Sequence, residues 1–162
     1  VMPGLMKYCN LIMGNIWSAN ELLGTPVHPN IHEKRSREAY LVHAAETSAL
    51  IMKEYEKCVA VANTFRFDEG NGIKYYASLD HGGKQFVSPE FMTRDVVDKV
   101  GSGDCFMAGL IYGFYSRHDA QQIVNFATAA AFGKLHEKGD FTSQSIQNVN
   151  SILTRAWPKM KI

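Results

Sequence analysis

The stretch that most constrains this chain is the junction between a short β-branched run, Val96–Val97, and an apolar helical pattern that begins near Asp104. The tetrapeptide Gly101-Ser102-Gly103-Asp104 forms the junction. Two glycines let the backbone turn sharply, and the first peptide N–H groups of a helix have no partner within the helix. Those donors, with the positive end of the helix dipole behind them, suit an anion such as phosphate. The junction therefore predicts a phosphate-binding turn.

Asp104 is unexpected in such a turn, because its carboxylate repels a bound anion. The residues themselves leave two interpretations open. Asp is a favoured residue at the start of a helix, so Asp104 can act simply as the helix cap. Alternatively, its carboxylate accepts the proton of a hydroxyl group that attacks the phosphorus.

Residues 98–111 resemble the C-terminal signature of the ribokinase-like (PfkB) carbohydrate kinases, in which a Gly-Ala/Ser-Gly-Asp turn precedes a helix of small residues. The resemblance implies that Gly101, Ser102 and Gly103 form an anion hole for the transferring phosphoryl group. It also implies that Asp104 is the catalytic residue, acting as general base on the sugar hydroxyl.

The motif Thr64-Phe65-Arg66 follows a buried apolar run and resembles the Thr-x-Arg of the 2-keto-3-deoxygluconate kinases of this family. The resemblance implies that Thr64 contacts the nucleotide. Arg66 would then neutralise nucleotide phosphate through its fixed fork of donors. A surface ion pair with Asp68 or Glu69 explains Arg66 equally well.

Three positions differ from the family's usual residues: Lys99, Val100 and Ser18. Lys99 stands where threonine is common, and it places a cation near the phosphates as an expected nucleotide contact. Asn15 matches the first residue of an Asn-x-x-Glu motif that helps to place magnesium and nucleotide phosphates, but Ser18 occupies the Glu position. Glu21, one turn further on, is the candidate metal ligand; an exposed helix carboxylate is the alternative.

The alanine-rich pattern over residues 120–133 predicts a helix. In the family this helix and the loop after it flank the adenine ring, which implies that Ala130 and Gly133 bind the nucleotide. The signature helix carries Gly109 and Gly113 on a smooth face. Close packing against another helix explains that face as well as contact with an adenine ring does.

Apolar runs at residues 9–14 and 58–63 predict buried strands, and residues 70–97 predict a series of antiparallel strands. Residues 36–57 predict one amphipathic helix. Its expected buried stripe consists of Ala39, Val42, Ala45, Ala49, Met52 and Tyr55.

The length of 162 residues supports one domain with a core of its own. Members of the family are much longer, and the signature lies near their C-terminal end. The resemblance therefore implies that residues 1–162 are a single partial domain, the nucleotide-binding and catalytic half of a ribokinase-like three-layer α/β/α fold with a mainly parallel central sheet. The N-terminal half and the lid are expected to be absent.

A formal net charge of +1 argues against nucleic acid as a partner. No apolar run approaches the roughly 20 residues of a membrane span, so no membrane association is expected. The 3 scattered cysteines suit reduced thiols, and the first residues lack the pattern of a signal peptide. Together these features predict a cytoplasmic protein.

The resemblance implies ATP and Mg²⁺ as cofactors and a sugar-acid substrate, with 2-keto-3-deoxygluconate favoured and fructokinase or another sugar kinase as the alternative. A different class of function also stays open. Without its other half, such a fragment would expose a sheet edge and a broad apolar surface, which drive association. It would then be a self-associating or nucleotide-binding fragment without catalytic activity.

Overall fold

The computed structural model describes residues 1–31 and 36–156. The helices in this part of the chain are α1 (Met2–Met6), α2 (Ile16–Leu23), α3 (Arg37–Glu54), α4 (Ser102–Tyr115), α5 (Ala120–Lys134) and α6 (Ile146–Ala156). The strands are β1 (Leu11–Gly14), β2 (Ala60–Glu69), β3 (Gly72–His81), β4 (Lys84–Val87) and β5 (Phe91–Thr93). None of the helices described is long and apolar enough to cross a membrane.

The strands form one sheet in the order β1-β2-β3-β4, and β5 pairs with β3. β1 and β2 are parallel, with Gly14 opposite Asn63. β3 and β5 are antiparallel, with Ile73 opposite Thr93. A connection as short as the one between β2 and β3 can join only antiparallel neighbours. The sheet is therefore mixed, and the expected parallel pairing is found between β1 and β2.

The chain divides into two compact units. One comprises Val1–Thr64 and Ser78–Phe86, and the other comprises Phe65–Ala77 and Val87–Ile162. Strands β2 and β3 contribute residues to both units. The single partial domain expected from the sequence stays a prediction.

Capping residues define helix α2 in the first unit. Asn15 caps its start, and Gly24 ends it in the left-handed conformation at φ +75°, which glycine adopts without strain. Apolar side chains of α2, α3, β1 and β2, and of the segment between α3 and β2, meet in one core. This core comprises Ile12, Ala19, Ile51, Tyr55, Cys58 and Val61.

The buried face of α3 differs from the predicted stripe. Val42 and Leu50 are exposed at 61% and 43%, whereas the predicted stripe had placed Val42 in the core. The helix buries a largely different face, and polar side chains form much of it. The buried residues of the helix are Tyr40, His43, Ala44, Thr47, Ser48 and Ile51.

Ser48 on this buried face belongs to a polar network. Ser48 Oγ donates to Asp80 Oδ2 at 2.8 Å and accepts from Asn63 Nδ2 at 3.0 Å. All three side chains are buried, and a buried polar group that lacks a partner is costly. Ser48 therefore faces inward with its partners, which an apolar periodicity does not reveal.

In the second unit, helices α4 and α5 pack closely at two glycines. A Cβ built at Gly109 would lie 2.6 Å from Ala127 Cα, and one at Gly113 would lie 2.8 Å from Ile123 Cγ1. These distances leave no room for a side chain. The small-residue face of α4 therefore serves helix packing, which decides between the two explanations left open by the sequence.

Two strand boundaries differ from prediction. Strand β2 continues to Glu69, so Thr64 and Arg66 lie within it and not after it. The last strand ends at Thr93, because the following segment bonds elsewhere: the N–H groups of Val97 and Asp98 donate to the carbonyl of Leu135 at 2.8 and 3.3 Å. That pairing brings the signature turn to the C-terminal end of α5.

Candidate active site

The turn before α4 keeps its peptide donors free of side-chain caps. Gly101 is the N-cap residue at φ +75°, and no side chain caps this helix. The first helical hydrogen bond runs from Cys105 N to Gly101 O at 2.9 Å. The N–H groups of Ser102, Gly103 and Asp104 thus occupy the first turn, where an α-helix provides no acceptor. This geometry suits an anion.

Gly101 is required at this position for two reasons. Its positive φ disfavours any residue with a side chain. A Cβ there would also overlap the carbonyl oxygen of Asp140. The loop after α5 therefore lies directly against the turn.

Asp104 is exposed in the first turn of α4 and is not its N-cap residue. The structure thus does not support the interpretation of Asp104 as the helix cap. An acidic residue in this turn is favoured by the helix dipole. An exposed carboxylate beside free peptide donors can accept a proton from a bound alcohol.

Arg66 reaches the same turn from strand β2. Its Nη1 donates to Ser102 Oγ at 3.1 Å, and Ser102 Oγ in turn donates to the carbonyl of Lys99 at 2.9 Å. Arg66 Nη1 also lies 3.4 Å from that carbonyl. The structure therefore brings Arg66 to the predicted anion hole, as the phosphate-binding interpretation requires.

The acidic neighbours of Arg66 pair with lysines. Lys99 Nζ lies 2.6 Å from Asp68 Oδ1, and Lys74 Nζ lies 3.1 Å from Glu69 Oε2. The hydrogen bond from Lys99 and then its charge hold the pKa of Asp68 below its usual value, with a smaller contribution from Arg66. Lys99 would have to leave Asp68 to contact a nucleotide, so its nucleotide role stays a prediction.

Asp98 connects the turn to the loop after α5. Its Oδ1 accepts from Val100 N at 3.0 Å, and its Oδ2 accepts from Gly139 N at 3.0 Å. The hydrogen bond from Val100, and to a smaller extent the one from Gly139, holds the pKa of Asp98 below its ordinary value. Sequence reasoning included Asp98 in the signature but assigned it no contact, because Gly139 is distant in sequence.

The proposed adenine contacts lie where α5 meets α6. Gln144 Nε2 donates to the carbonyl of Ala130 at 3.0 Å. A Cβ at Gly133 would overlap the Gln144 side chain and lie 2.7 Å from Ile152 Cδ1. Packing against Gln144 and Ile152 accounts for Gly133, and a nucleotide-binding role for Ala130 and Gly133 stays a prediction.

The remaining predicted residues belong to the first unit. Asn15 Oδ1 caps α2 by accepting from Trp17 N and Ser18 N, and Ser18 Oγ completes the capping box by accepting from Asn15 N at 3.0 Å. Ser18 at the family's Glu position thus has a structural role. Thr64 Oγ1 donates to the carbonyl of Gly14 at 3.2 Å.

The carboxyl ends of the parallel strands β1 and β2 therefore bring Thr64 beside the residue that precedes Asn15, as expected at the ligand-binding edge of such a sheet. Glu21 is exposed on α2. In the part of the chain that the structure describes, no group of three His, Cys, Asp or Glu side chains could hold a metal ion. Magnesium in kinases needs fewer protein ligands, because phosphates and water complete its shell.

A model of the pfkB family of carbohydrate kinases matches residues 5–146. The chain belongs to the pfkB family. This confirms the family predicted from residues 98–111. None of the curated proteins matches this chain.

Solved structures support the same fold. The 2-dehydro-3-deoxygluconokinase of Thermotoga maritima shares 28% identity with a TM-score of 0.81, over 95% of this chain and 44% of that chain. A nucleoside kinase of Burkholderia thailandensis in complex with inosine shares 16% identity with a TM-score of 0.63, over 99% of this chain and 45% of that chain. An E. coli protein described as a candidate ribokinase II, in complex with ATP and Mg²⁺, shares 19% identity with a TM-score of 0.64, over 94% of this chain and 42% of that chain.

These similarities confirm the ribokinase-like α/β fold. The pfkB chain described here spans less than half the length of each of these solved structures.

Proposed function

We propose that this chain is the nucleotide-binding and catalytic half of a pfkB-family carbohydrate kinase, which transfers the γ-phosphoryl group of ATP to a hydroxyl group of a sugar acid. The observation that carries the proposal is the start of α4, where uncapped peptide donors, an exposed Asp104 and the guanidinium of Arg66 converge on one turn.

Each group at this turn has a defined role in the proposal. The peptide donors of the turn, from Gly101 to Asp104, hold the phosphoryl oxygens, on which the charge of a loose transition state is spread. Asp104 accepts the proton of the attacking hydroxyl group. Arg66 adds a permanent positive charge. Magnesium, when bound with ATP, neutralises part of the phosphate charge.

The assignments in the first unit and at α5 remain part of the proposal. Asn15 and Thr64 would contact nucleotide phosphates, and Glu21 would approach the metal. Ala130 and Gly133 would lie near the adenine ring. No contact in the structure distinguishes these roles from the capping and packing roles described above.

A sugar acid is the favoured substrate class, with 2-keto-3-deoxygluconate as its specific candidate. The support is the Thr64-x-Arg66 motif and the 28% identity to the 2-dehydro-3-deoxygluconokinase of Thermotoga maritima. Fructose and other sugars are the alternatives, and the resemblance to a nucleoside kinase adds nucleosides to the panel that should be assayed.

The test is binding of ATP with Mg²⁺ to the 162-residue chain, measured by thermal shift and titration calorimetry, followed by assay of phosphoryl transfer to that panel. We expect ATP with Mg²⁺ to raise the Tm. Asp104→Asn should abolish any transfer and leave nucleotide affinity within about twofold, since the base acts on the acceptor hydroxyl. Asp95→Asn, another exposed carboxylate before the turn, is the control for loss of one charge. Failure of the unmodified chain to bind ATP would refute the proposal.

The second candidate function is that of a self-associating fragment without catalytic activity. It is favoured because the chain covers only 44% of the length of the Thermotoga maritima structure. β1 stands at the end of the strand order, and a mostly apolar cavity beside it is lined by Met6, Met13, Leu22 and Leu23 among others. Such an edge favours self-association. Light scattering coupled to gel filtration should then show a dimer or larger species, and Met13→Lys should return it to a monomer. A monomer at all concentrations excludes self-association.

A further inference from the structure

The last residue of α5, Lys134, is fully enclosed by protein, with 0% of its surface exposed. Lysine is almost never fully buried unless its ammonium group is held by a partner. Its Nζ donates to the carbonyl oxygen of Glu137 at 2.8 Å. Because burial of a charged side chain is so costly, we expect Lys134 to have a role that an uncharged side chain of similar length, such as methionine, would not fulfil.

The carbonyl that Lys134 binds begins the loop that contacts the signature turn. The carboxylate of Glu137 closes this loop by accepting from Thr142 Oγ1 and from Ser143 N at 3.1 Å. Burial raises the pKa of Glu137, but the hydrogen bonds from Ser143 and Thr142 outweigh it and leave the pKa below its usual value. The loop therefore has an ionised carboxylate at its base and the Lys134 ammonium beneath it.

Two contacts transmit the loop's position to the turn. Gly139 N donates to Asp98 Oδ2 at 3.0 Å, and the Asp140 carbonyl lies against Gly101. The positive charge of Lys134 also acts on Asp98, after the hydrogen bonds from Val100 and Gly139. A continuous path of contacts thus leads from Lys134 to Gly101, the N-cap residue of α4.

We propose that Lys134 is a positioning residue for the phosphate-binding turn, in which its enclosed ammonium group holds the loop 137–140 and the loop holds Asp98 and Gly101 in place. The effect on nucleotide binding rests on the proposed kinase function, whereas the effect on the loop does not. Lys134 touches neither the peptide donors of the turn nor Asp104 in any contact described above, so it acts through the loop.

The test compares Lys134→Met with Lys53→Met in the 162-residue chain. Lys53 also lies in the last turn of its helix but is exposed, so it controls for loss of a charge near a helix C-terminus. Replacement of a buried charge by an apolar side chain of similar length is often neutral or stabilising. We therefore expect Lys134→Met to keep or raise the Tm.

Despite that stability, Lys134→Met should raise amide exchange at residues 98–104 and 137–143 and weaken binding of ATP with Mg²⁺ by roughly tenfold, the usual worth of one charged hydrogen bond. Lys53→Met should change neither. Lys134→Gln, which keeps a neutral donor, should give an intermediate effect and replaces the methionine variant if that variant fails to fold.

The outcomes separate the two proposals. Wild-type exchange at both segments in Lys134→Met overturns the positioning role, whatever the unmodified chain binds. Faster exchange at both segments in a chain that never binds ATP supports the positioning role and refutes the kinase proposal.

Discussion

Arg66 on strand β2 donates a hydrogen bond from Nη1 to the Oγ of Ser102, the first residue of α4, at 3.1 Å. The two residues are distant in sequence, and the contact places a guanidinium group at the start of a helix whose peptide donors have no side-chain cap. A fixed cation and free peptide donors at one turn are the components of a phosphate site.

The first prediction concerns this arginine. Arg66→Gln should weaken binding of ATP with Mg²⁺ by about tenfold or more, because one charged contact to phosphate contributes about 1.5–3 kcal/mol. Arg66→Lys should recover little of that affinity, since an ammonium group cannot reproduce the planar fork. Titration calorimetry measures both variants. Arg94→Gln, an exposed arginine, is the control, and equal affinities in Arg66→Gln and Arg94→Gln would exclude the contact.

The second prediction separates strain from steric overlap at Gly101. Gly101→Ala should destabilise the fold by about 2–4 kcal/mol, because alanine is strained at φ +75° and its Cβ meets the Asp140 carbonyl. Gly70→Ala is the matched control, since Gly70 has φ +59° with open space around its Cβ position. It should cost about 1 kcal/mol. Urea unfolding measures both values, and similar losses would show that the loop yields to the new methyl group.

The third prediction concerns pH and the buried Asp80, which is 6% exposed. Burial raises the pKa of Asp80 to about 6, against the hydrogen bonds from Ser48 and Gln85. The folded state therefore binds this proton more tightly than the unfolded state does. The stability that Asp80 contributes is fully present below the unfolded pKa of about 3.9 and is lost as the pH rises through about 6.

Asp80→Asn should thus raise the free energy of unfolding at pH 7.5 by about 1–3 kcal/mol and change it little at pH 4. The measurement is the difference between variant and wild type in urea unfolding across this range, since exposed carboxylates affect both proteins alike. A loss of stability that is the same at both pH values would mean that Asp80 is ionised in the folded state throughout.

The fourth prediction tests the contact between α4 and α5. Gly109→Ala should destabilise the protein by about 1–3 kcal/mol, because its Cβ would lie 2.6 Å from Ala127 Cα and force the helices apart. Gly4→Ala, in helix α1 with open space around it, should be neutral or slightly stabilising, since alanine is the better helix former. The shift in Tm measures each change, and an unchanged Tm in Gly109→Ala would mean that the helices separate at no cost.

Local chemistry made much of this protein readable from its sequence. The turn at Gly101 and the start of α4 follow from glycine and from the free donors of a helix terminus, which are properties of adjacent residues. The same reasoning predicted strands near β1 and β2 and the helix α5. The capping of α5 by Asp119 and Gln122 is likewise local, with Gln122 N donating to Asp119 Oδ1 at 2.8 Å.

Tertiary structure decided what depends on partners distant in the chain. Ser48 faces inward and bonds Asp80 and Asn63, residues of other elements, whereas Val42 on the same helix faces solvent. Lys134 is buried because the loop after it folds back over its ammonium group. Periodicity records only which residues are apolar. Which buried polar group finds a partner is set by the assembled fold, and a buried polar group without one is costly, so neither contact could be predicted from the sequence.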